Sequence, residues 1–138
     1  MRVVIFGCGR VGSLAASLLS GQGAEVVIVD RDEDAFGALS GEYSGFTVTG
    51  DASEMGVLRQ AGLSETDVVF AATDSDTLNL MVAQMAREVF GVKQVMARVF
   101  LPEWEGTYRE LGIGAISPVS LAVQAFLGEM GKPVEGRP

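Results

Sequence analysis

The sequence predicts an α/β fold in which a six-stranded parallel sheet is covered by helices on both faces. Two observations carry this prediction. Short apolar segments alternate with helical segments along the chain, and a glycine-rich turn directly follows the first apolar segment. Such alternation is typical of a doubly wound sheet, because successive parallel strands need a crossover helix between them. The 138 residues are enough for a single domain with a buried core.

Six short apolar runs are predicted to be strands, at residues 3–6, 25–29, 47–49, 68–71, 94–98 and 115–116. Helical segments lie between and after them, at residues 11–20, 33–40, 54–61, 77–90, 103–110 and 119–127. Asp51 or Ser53 is predicted to cap the third helix, and Gly62 lies where that helix should end. We therefore expect one domain over residues 1–128, followed by a tail or linker over residues 129–138.

The turn after the first strand has the pattern G-x-G-x-x-G, formed by Gly7, Gly9 and Gly12. A carboxylate, Asp30, ends the second strand 18 residues later. In dinucleotide-binding folds these glycines permit the tight turn, the approach of a pyrophosphate and close helix packing, while the carboxylate binds ribose hydroxyls. The pattern therefore predicts a Rossmann-like nucleotide site that disfavours the 2′-phosphate of NADP. The alternative is that the glycines only close a turn and Asp30 is an ordinary residue at a strand end.

Later strand ends add candidate contacts, because open parallel sheets bind ligands at the carboxyl ends of their strands. Asp51 would contact adenosine or cap a helix. Thr73 and Asp74 would line the cleft, although a purely structural turn is favoured for them. Asn79 would be a ligand contact or a locally hydrogen-bonded amide. Arg98 ends an otherwise apolar strand, which favours a phosphate or carboxylate partner.

Composition narrows the classes of function. The sequence contains no histidine, so we predict neither a catalytic residue nor a metal site. The net charge of −8 at pH 7 would repel nucleic acid and anionic membranes over most of the surface. No apolar run reaches the length of a membrane span. The sequence has a single cysteine, Cys8, which is consistent with a reducing cytosol, and we expect its small side chain to fill space within the glycine turn. We therefore expect a cytoplasmic protein without nucleic-acid binding or membrane insertion.

Two enzyme classes also fit parts of the pattern. An NAD-dependent oxidoreductase, or the cofactor-binding half of one, would use the same glycine turn. However, neither Tyr43 nor Tyr108 is followed four residues later by the lysine that short-chain reductases need. Asp30 and Asp32 also match the D-x-D strand end of haloacid dehalogenase-like phosphatases, as nucleophile and general acid. That interpretation leaves the upstream glycines unexplained.

Together these residues resemble the nucleotide-binding TrkA-N or KTN domain of the regulator-of-potassium-conductance (RCK) family, over residues 2 to about 127. The matching segments are residues 7–12, 29–30, 50–52, 72–74 with 79–80, 97–99, and 111–112 leading to 117–118. The resemblance implies a regulatory domain that is not an enzyme. Such a domain would bind NAD(H) or ATP/ADP, with AMP as a further ligand, and would control a membrane potassium channel or transporter. It would lie at the inner face of the membrane through that partner.

The resemblance also implies a homodimer or larger ring, in which Arg10 reaches the terminal phosphate of ATP within the subunit or across an interface. Longer members of the family carry a second ligand-binding domain after this one. An apolar group in the last helix, formed by Leu121, Val123, Phe126 and Leu127, is a candidate contact between subunits, although its helical spacing favours packing on the sheet. The predicted nucleotide-binding residues are Gly7, Cys8, Gly9, Arg10, Val11, Gly12, Asp30, Arg31, Asp51, Ala52, Ala72, Thr73, Asp74, Asn79 and Arg98.

Overall fold

The structure is a computed structural model, and it describes residues 1–131. Its six strands are β1 (Arg2–Phe6), β2 (Glu25–Asp30), β3 (Phe46–Thr49), β4 (Val68–Ala71), β5 (Gln94–Arg98) and β6 (Gly114–Ile116). All neighbouring pairs are parallel, in the order β3-β2-β1-β4-β5-β6. This is the order of a Rossmann fold, so the predicted doubly wound six-stranded sheet is confirmed. The predicted tail over residues 129–138 lies mostly outside the described residues.

Five α-helices connect or follow the strands: α1 (Arg10–Gly21), α2 (Met55–Gln60), α3 (Asp76–Glu88), α4 (Glu105–Glu110) and α5 (Pro118–Glu129). Short 3₁₀ segments lie at Glu33–Ala38, Leu63–Glu65 and Pro102–Trp104. The helical segment predicted over residues 33–40 is present as a 3₁₀ helix over Glu33–Ala38, two residues shorter than predicted. No residue of Glu33–Ala38 is fully buried, and only Ala35 and Phe36 pack partly against the core beneath α1, so little apolar surface supports a longer helix there.

The end of α2 follows the prediction, whereas its start does not. Gly62 follows the helix with a φ of 76°, in the left-handed conformation that glycine adopts most readily. Glu54 is the N-cap residue, and neither Asp51 nor Ser53 caps the helix. Asp51 instead accepts hydrogen bonds from the backbone N–H (2.9 Å) and the hydroxyl (2.7 Å) of Ser53. This local bond competes with capping, as aspartate side chains commonly do in turns.

Both faces of the sheet are buried, and β1 lies at its centre. Val4 and Phe6 contribute to a core shared with residues of α2, α3 and α4, whereas Val3 and Ile5 point to the opposite core beneath α1. Because successive side chains of a strand point to opposite faces, an unbroken apolar run is what a two-sided parallel sheet requires. The chain leaves β1 and β4 in opposite directions across the sheet. A crevice therefore opens at their carboxyl ends.

The last helix departs from the favoured expectation. Every residue of α5 lies in the described part of the chain, and none of them is buried. Leu121 and Val123 are each 52% exposed and Phe126 is 61% exposed, whereas Leu127 is partly buried, so the expected packing on the sheet is wrong for three of the four apolar residues. The helix that packs against the edge strand β6 is α4 rather than α5. None of the helices within residues 1–131 has the length and apolar character that crossing a membrane requires.

Candidate functional site

A cleft of ≈ 470 Å³ lies at the carboxyl ends of the central strands, a volume typical of small-molecule sites. The predicted residues that line it are Gly7, Cys8, Gly9, Asp30, Arg31, Asp51, Ala52, Ala72, Thr73, Asp74 and Arg98. Four predicted residues are not among its lining: Arg10, Val11, Gly12 and Asn79. The structure thus brings the ends of β1 to β5 together, as the rule for parallel sheets requires.

Each glycine of the turn has a separate steric role. Gly7 has a φ of 100°, and a Cβ atom there would lie 2.6 Å from the carbonyl oxygen of Ala72. A Cβ atom on Gly12 would overlap the carbonyl oxygen of Gly7, so helix α1 packs directly on the turn. At Gly9, by contrast, no heavy atom of residues 1–131 lies within 4 Å of a Cβ position. The space beside Gly9 opens into the cleft, where a phosphate group would approach the backbone.

The amino end of α1 is free to bind an anion. Its N-cap residue is Gly9, which has no side chain to satisfy the first backbone N–H groups, and its first turn carries no acidic residue. In contrast, Ser75 accepts from the N–H of Leu78 at the start of α3, and Ser117 accepts from that of Ser120 in α5. Within residues 1–131, the first amides of α1 and the positive end of its dipole therefore have no anionic side-chain partner, and Gly9 places this end of the helix beside the cleft.

Asp30 joins the glycine turn to the end of β2. Its Oδ2 atom accepts a hydrogen bond from the Cys8 backbone N–H (2.8 Å), and its Oδ1 atom accepts from that of Asp32 (2.9 Å). A carboxylate oxygen accepts more than one hydrogen bond, so both atoms retain capacity for ribose hydroxyls. The carboxylate lines the cleft and is therefore positioned for the role that the spacing predicts.

Cys8 is buried within the turn. Burial raises the pKa of its thiol above the ordinary value of 9.0, and the neighbouring Asp30 carboxylate raises that pKa further. This environment disfavours the thiolate, which is the nucleophilic form of cysteine. Its small side chain fills the space beneath the turn, in agreement with the predicted role.

Charged groups of both signs surround the cleft. Arg31 and Arg98 line it, and Arg10 is exposed at the first position of α1. Asp51 is exposed on the β3 side, where the backbone N–H of Ser53, then its hydroxyl, hold the pKa of the Asp51 carboxyl below its ordinary value. Arg31 contributes to this lowering through its positive charge. The guanidinium groups supply the cations that a phosphate chain needs in an otherwise acidic protein.

The Asn79 side chain holds the loop after β4 through hydrogen bonds. This side chain is 0% exposed, so it supports the cleft rather than facing it. The Thr73 hydroxyl donates to Asn79 Oδ1 (2.6 Å) and accepts from the Ser75 N–H (3.2 Å). Its hydrogen is therefore already used in a bond within the protein. Thr73 therefore has the structural turn role that the sequence favoured, while Asp74 is exposed at the cleft.

Several lining residues were absent from the predicted set: Phe6, Val29, Asp32, Ala35, Gly50, Ser75 and Leu78. Phe6, Val29 and Gly50 lie at strand ends, which the rule for parallel sheets could have included. Ser75 had a recognisable signal, because a serine directly before a helical segment is a typical N-cap. Ala35 and Leu78 had no such signal in the sequence, because only the fold brings their segments over the cleft.

Within residues 1–131, no group of three or more His, Cys, Asp or Glu residues is placed to hold a metal ion.

The sheet order and the glycine turn at its switch point define a Rossmann-type nucleotide-binding domain. The model of the TrkA-N domain matches residues 3–118. The chain belongs to the TrkA-N family, which confirms the predicted resemblance.

Known proteins agree with this assignment. The chain is 40% identical over 127 residues to the Trk system potassium uptake protein TrkA of Streptomyces coelicolor, covering 92% of this chain and 57% of that protein. The chain thus spans little more than half of this relative. A structure of the GsuK channel bound to NAD has a TM-score of 0.76 and 25% identity, covering 94% of this chain and 23% of that one. The TrkA-N domain of the inner membrane protein ybaL from Escherichia coli, 18% identical, shares the fold with a TM-score of 0.83, covering 94% and 96% of the two chains.

Proposed function

We propose that this chain binds an adenine nucleotide, either NAD(H) or ATP/ADP, and thereby regulates a membrane potassium channel or transporter. The observation that carries the proposal is the pairing of an uncapped α1 amino end with the Asp30 carboxylate in one cleft. The first favours phosphate groups, and the second accepts hydrogen bonds from ribose hydroxyls. The NAD-bound channel of similar fold and the potassium uptake relative support this combination.

The ligand would lie across the carboxyl edge of the sheet. Asp30 and Asp51 border the adenosine end, and the phosphates approach Gly9 and the amides of α1. Arg98 borders the opposite end of the cleft and would contact a distal phosphate or the second half of a dinucleotide. Arg10, exposed beside the turn, would reach a terminal phosphate of ATP within the subunit or across an interface. AMP would occupy only the adenosine end and the first phosphate position.

Regulation would follow from binding alone. A ligand shifts a conformational equilibrium only by its difference in affinity for the two states, and a partner must respond to that shift. We infer a homodimer or larger ring, to which the exposed apolar group of α5 contributes a contact. The assembly would be cytoplasmic and held at the inner face of the membrane by the channel or transporter. In this arrangement residues 1–128 form the nucleotide-binding domain and residues 129–138 a tail or linker.

Isothermal titration of the 138-residue chain with NAD, NADH, ATP, ADP and AMP tests the proposal. We expect at least one of these nucleotides to bind without being consumed. Arg10→Ala should reduce the affinity for ATP more than the affinity for AMP, because only the longer ligand reaches that side chain. Failure of all five nucleotides to bind would contradict the proposed ligand class. Steady oxidation of NADH with a carbonyl substrate would instead indicate the oxidoreductase alternative.

A further inference from the structure

The buried amide of Asn79 joins two loops that border the same end of the cleft. Its Oδ1 atom accepts from the backbone N–H (2.9 Å) and the hydroxyl (2.6 Å) of Thr73. Its Nδ2 atom donates to the carbonyl oxygens of Thr73 (3.0 Å) and Arg98 (3.2 Å). Two acceptor positions and two donor hydrogens are the full capacity of an asparagine side chain. Asn79 therefore uses all its hydrogen-bonding capacity to hold the β4–α3 loop against the end of β5.

The segment that Asn79 holds also supports the glycine turn. The Ala72 N–H donates to the Phe6 carbonyl oxygen (2.7 Å), and the backbone of Ala72 and Thr73 lies directly beneath Gly7. On its other side Asn79 holds the carbonyl of Arg98, whose side chain lines the cleft. One buried amide thus sets the spacing between the Thr73 loop and the backbone that carries Arg98.

The cleft has two ends that Asn79 does not affect equally. Asp30 and Asp51 follow β2 and β3, on one side of the central strand β1, whereas Asp74 and Arg98 follow β4 and β5 on the other. All four hydrogen bonds of the Asn79 side chain fall on the β4–β5 side. In the proposed binding mode, a ligand that ends at its first phosphate would remain near Asp30 and α1, and only a longer ligand would extend to Asp74 and Arg98.

Building on the proposed nucleotide site, we propose that Asn79 is a positioning residue that sets the affinity for the part of the ligand beyond adenosine monophosphate. Asn79 contacts no ligand itself. It aligns Arg98 and the Asp74 loop with a distal phosphate or second nucleoside, so that both meet one ligand without reorganisation on binding. Its removal should therefore reduce discrimination between long and short nucleotides, in addition to any loss of stability.

Isothermal titration of AMP, ATP and NAD into Asn79→Asp tests this role. The substitution preserves size and the Oδ1 acceptor, but places a carboxylate oxygen against the carbonyls of Thr73 and Arg98. We expect AMP affinity to change by less than about threefold and the affinity for the longer ligand that the wild type binds to fall about tenfold or more, as expected for losing one or two buried hydrogen bonds. Gln84→Leu is the matched control, because this exposed amide on the same helix lies outside the cleft.

A double-mutant cycle separates positioning from stability. In an Arg98→Ala background, the substitution Asn79→Asp should cost less affinity for the longer ligand, because its main target is already absent. If Asn79→Asp does not fold, Thr73→Val takes its place, because it removes the hydroxyl that donates to Asn79. It should show the same selective loss of affinity for the longer ligand. Thr73→Ser, which keeps a hydroxyl, should bind as the wild type does. Equal losses for AMP and the longer nucleotides, or an unaltered effect in the Arg98→Ala background, would overturn the role of Asn79. A wild-type chain that binds no nucleotide would instead refute the proposed function.

Discussion

Asp30 has two simultaneous tasks at the residue scale. It orders the glycine turn through the Cys8 and Asp32 amides, and it presents a carboxylate to the cleft. We expect Asp30→Ala to weaken adenine-nucleotide binding by about 1.5–3 kcal/mol for each charged hydrogen bond lost. Titration of NAD into the variant, with its fold checked by circular dichroism, measures this loss. The matched control is Asp34→Ala, because Asp34 is exposed on the same segment but does not line the cleft.

Unchanged NAD affinity in a folded Asp30→Ala variant would exclude Asp30 as the ribose-binding residue. The same carboxylate should exclude a 2′-phosphate, because two negative groups would face each other at short distance. Wild-type protein should therefore prefer NAD over NADP, and a preference for NADP would contradict this account of Asp30.

Tyr43 makes stability depend on pH in the alkaline range. Its hydroxyl lies within hydrogen-bonding distance of the carbonyls of Phe46 (2.8 Å) and Val26 (3.2 Å). Burial, and then the nearby Cys8, raise the pKa of Tyr43 from 10.0 to about 12. The neutral phenol is the form that the fold prefers, so its contribution is complete below pH 10 and is lost as the pH rises towards about 12.

Tyr43→Phe removes this titrating group. We expect the variant to lose about 1 kcal/mol of unfolding free energy at neutral pH, the value of a typical hydrogen bond. It should also lose less stability than the wild type between pH 10 and 12. Urea unfolding at matched pH values measures both effects. Parallel alkaline losses in the two proteins would assign the pH dependence to other groups, such as Tyr108, whose pKa burial also raises.

At the scale of elements, the glycine turn and α1 separate folding from binding. A methyl group on Gly12 meets the backbone of Gly7, whereas one on Gly9 enters the open cleft. We expect Gly12→Ala to cost about 2 kcal/mol or more of unfolding free energy. Gly9→Ala should cost less than about 1 kcal/mol of stability while weakening nucleotide binding at least about tenfold.

Thermal unfolding and nucleotide titration of both variants provide the comparison. The control is Gly21→Ala, because Gly21 lies at the end of α1 and no heavy atom of residues 1–131 lies near its Cβ position. This variant should lower neither the nucleotide affinity nor the unfolding free energy. If Gly9→Ala binds as tightly as the wild type, the phosphates do not approach this turn.

Helix α5 presents a different situation, because its apolar residues contribute little to the fold of one subunit. Phe126 is 61% exposed, so Phe126→Ser should change the unfolding free energy of the monomer by less than about 0.5 kcal/mol. It should nevertheless weaken self-association, which sedimentation equilibrium measures. Ala122→Ser, also exposed on α5, is the control. Identical association in wild type and Phe126→Ser would remove α5 from the proposed interface.

At the scale of the whole molecule, regulation requires that nucleotide binding alter an assembly. We expect a homodimer or larger ring whose small-angle scattering profile differs between the nucleotide-free and nucleotide-bound states, because only differential affinity transmits a signal. Scattering and sedimentation, each with and without the tightest-binding nucleotide, measure this response. A strictly monomeric chain whose profile ignores every nucleotide would leave the proposed regulation without a mechanism.

Much of the fold was predictable because it depends on local patterns. Apolar runs bounded by turns indicated all six strands, and the spacing of Gly7, Gly9, Gly12 and Asp30 indicated the glycine turn and the carboxylate that lines the cleft beside it. These features lie within one strand-turn-helix-strand unit, so neighbouring residues determine their geometry. That the helical segment Glu33–Ala38 is a 3₁₀ helix was not predictable in this way, because the small extent of its burial is a property of the packed molecule.

The sequence by itself determined that a glycine turn and a carboxylate share one Rossmann unit. Only the tertiary structure decided that Asn79 lies buried beneath the cleft, because its amide bonds a carbonyl 19 residues away on β5. It also decided that α5 leaves most of its apolar group exposed, whereas α4 packs against the edge strand β6. Local spacing specifies backbone geometry within a unit. Burial and long-range hydrogen bonding depend on which elements the completed sheet brings together.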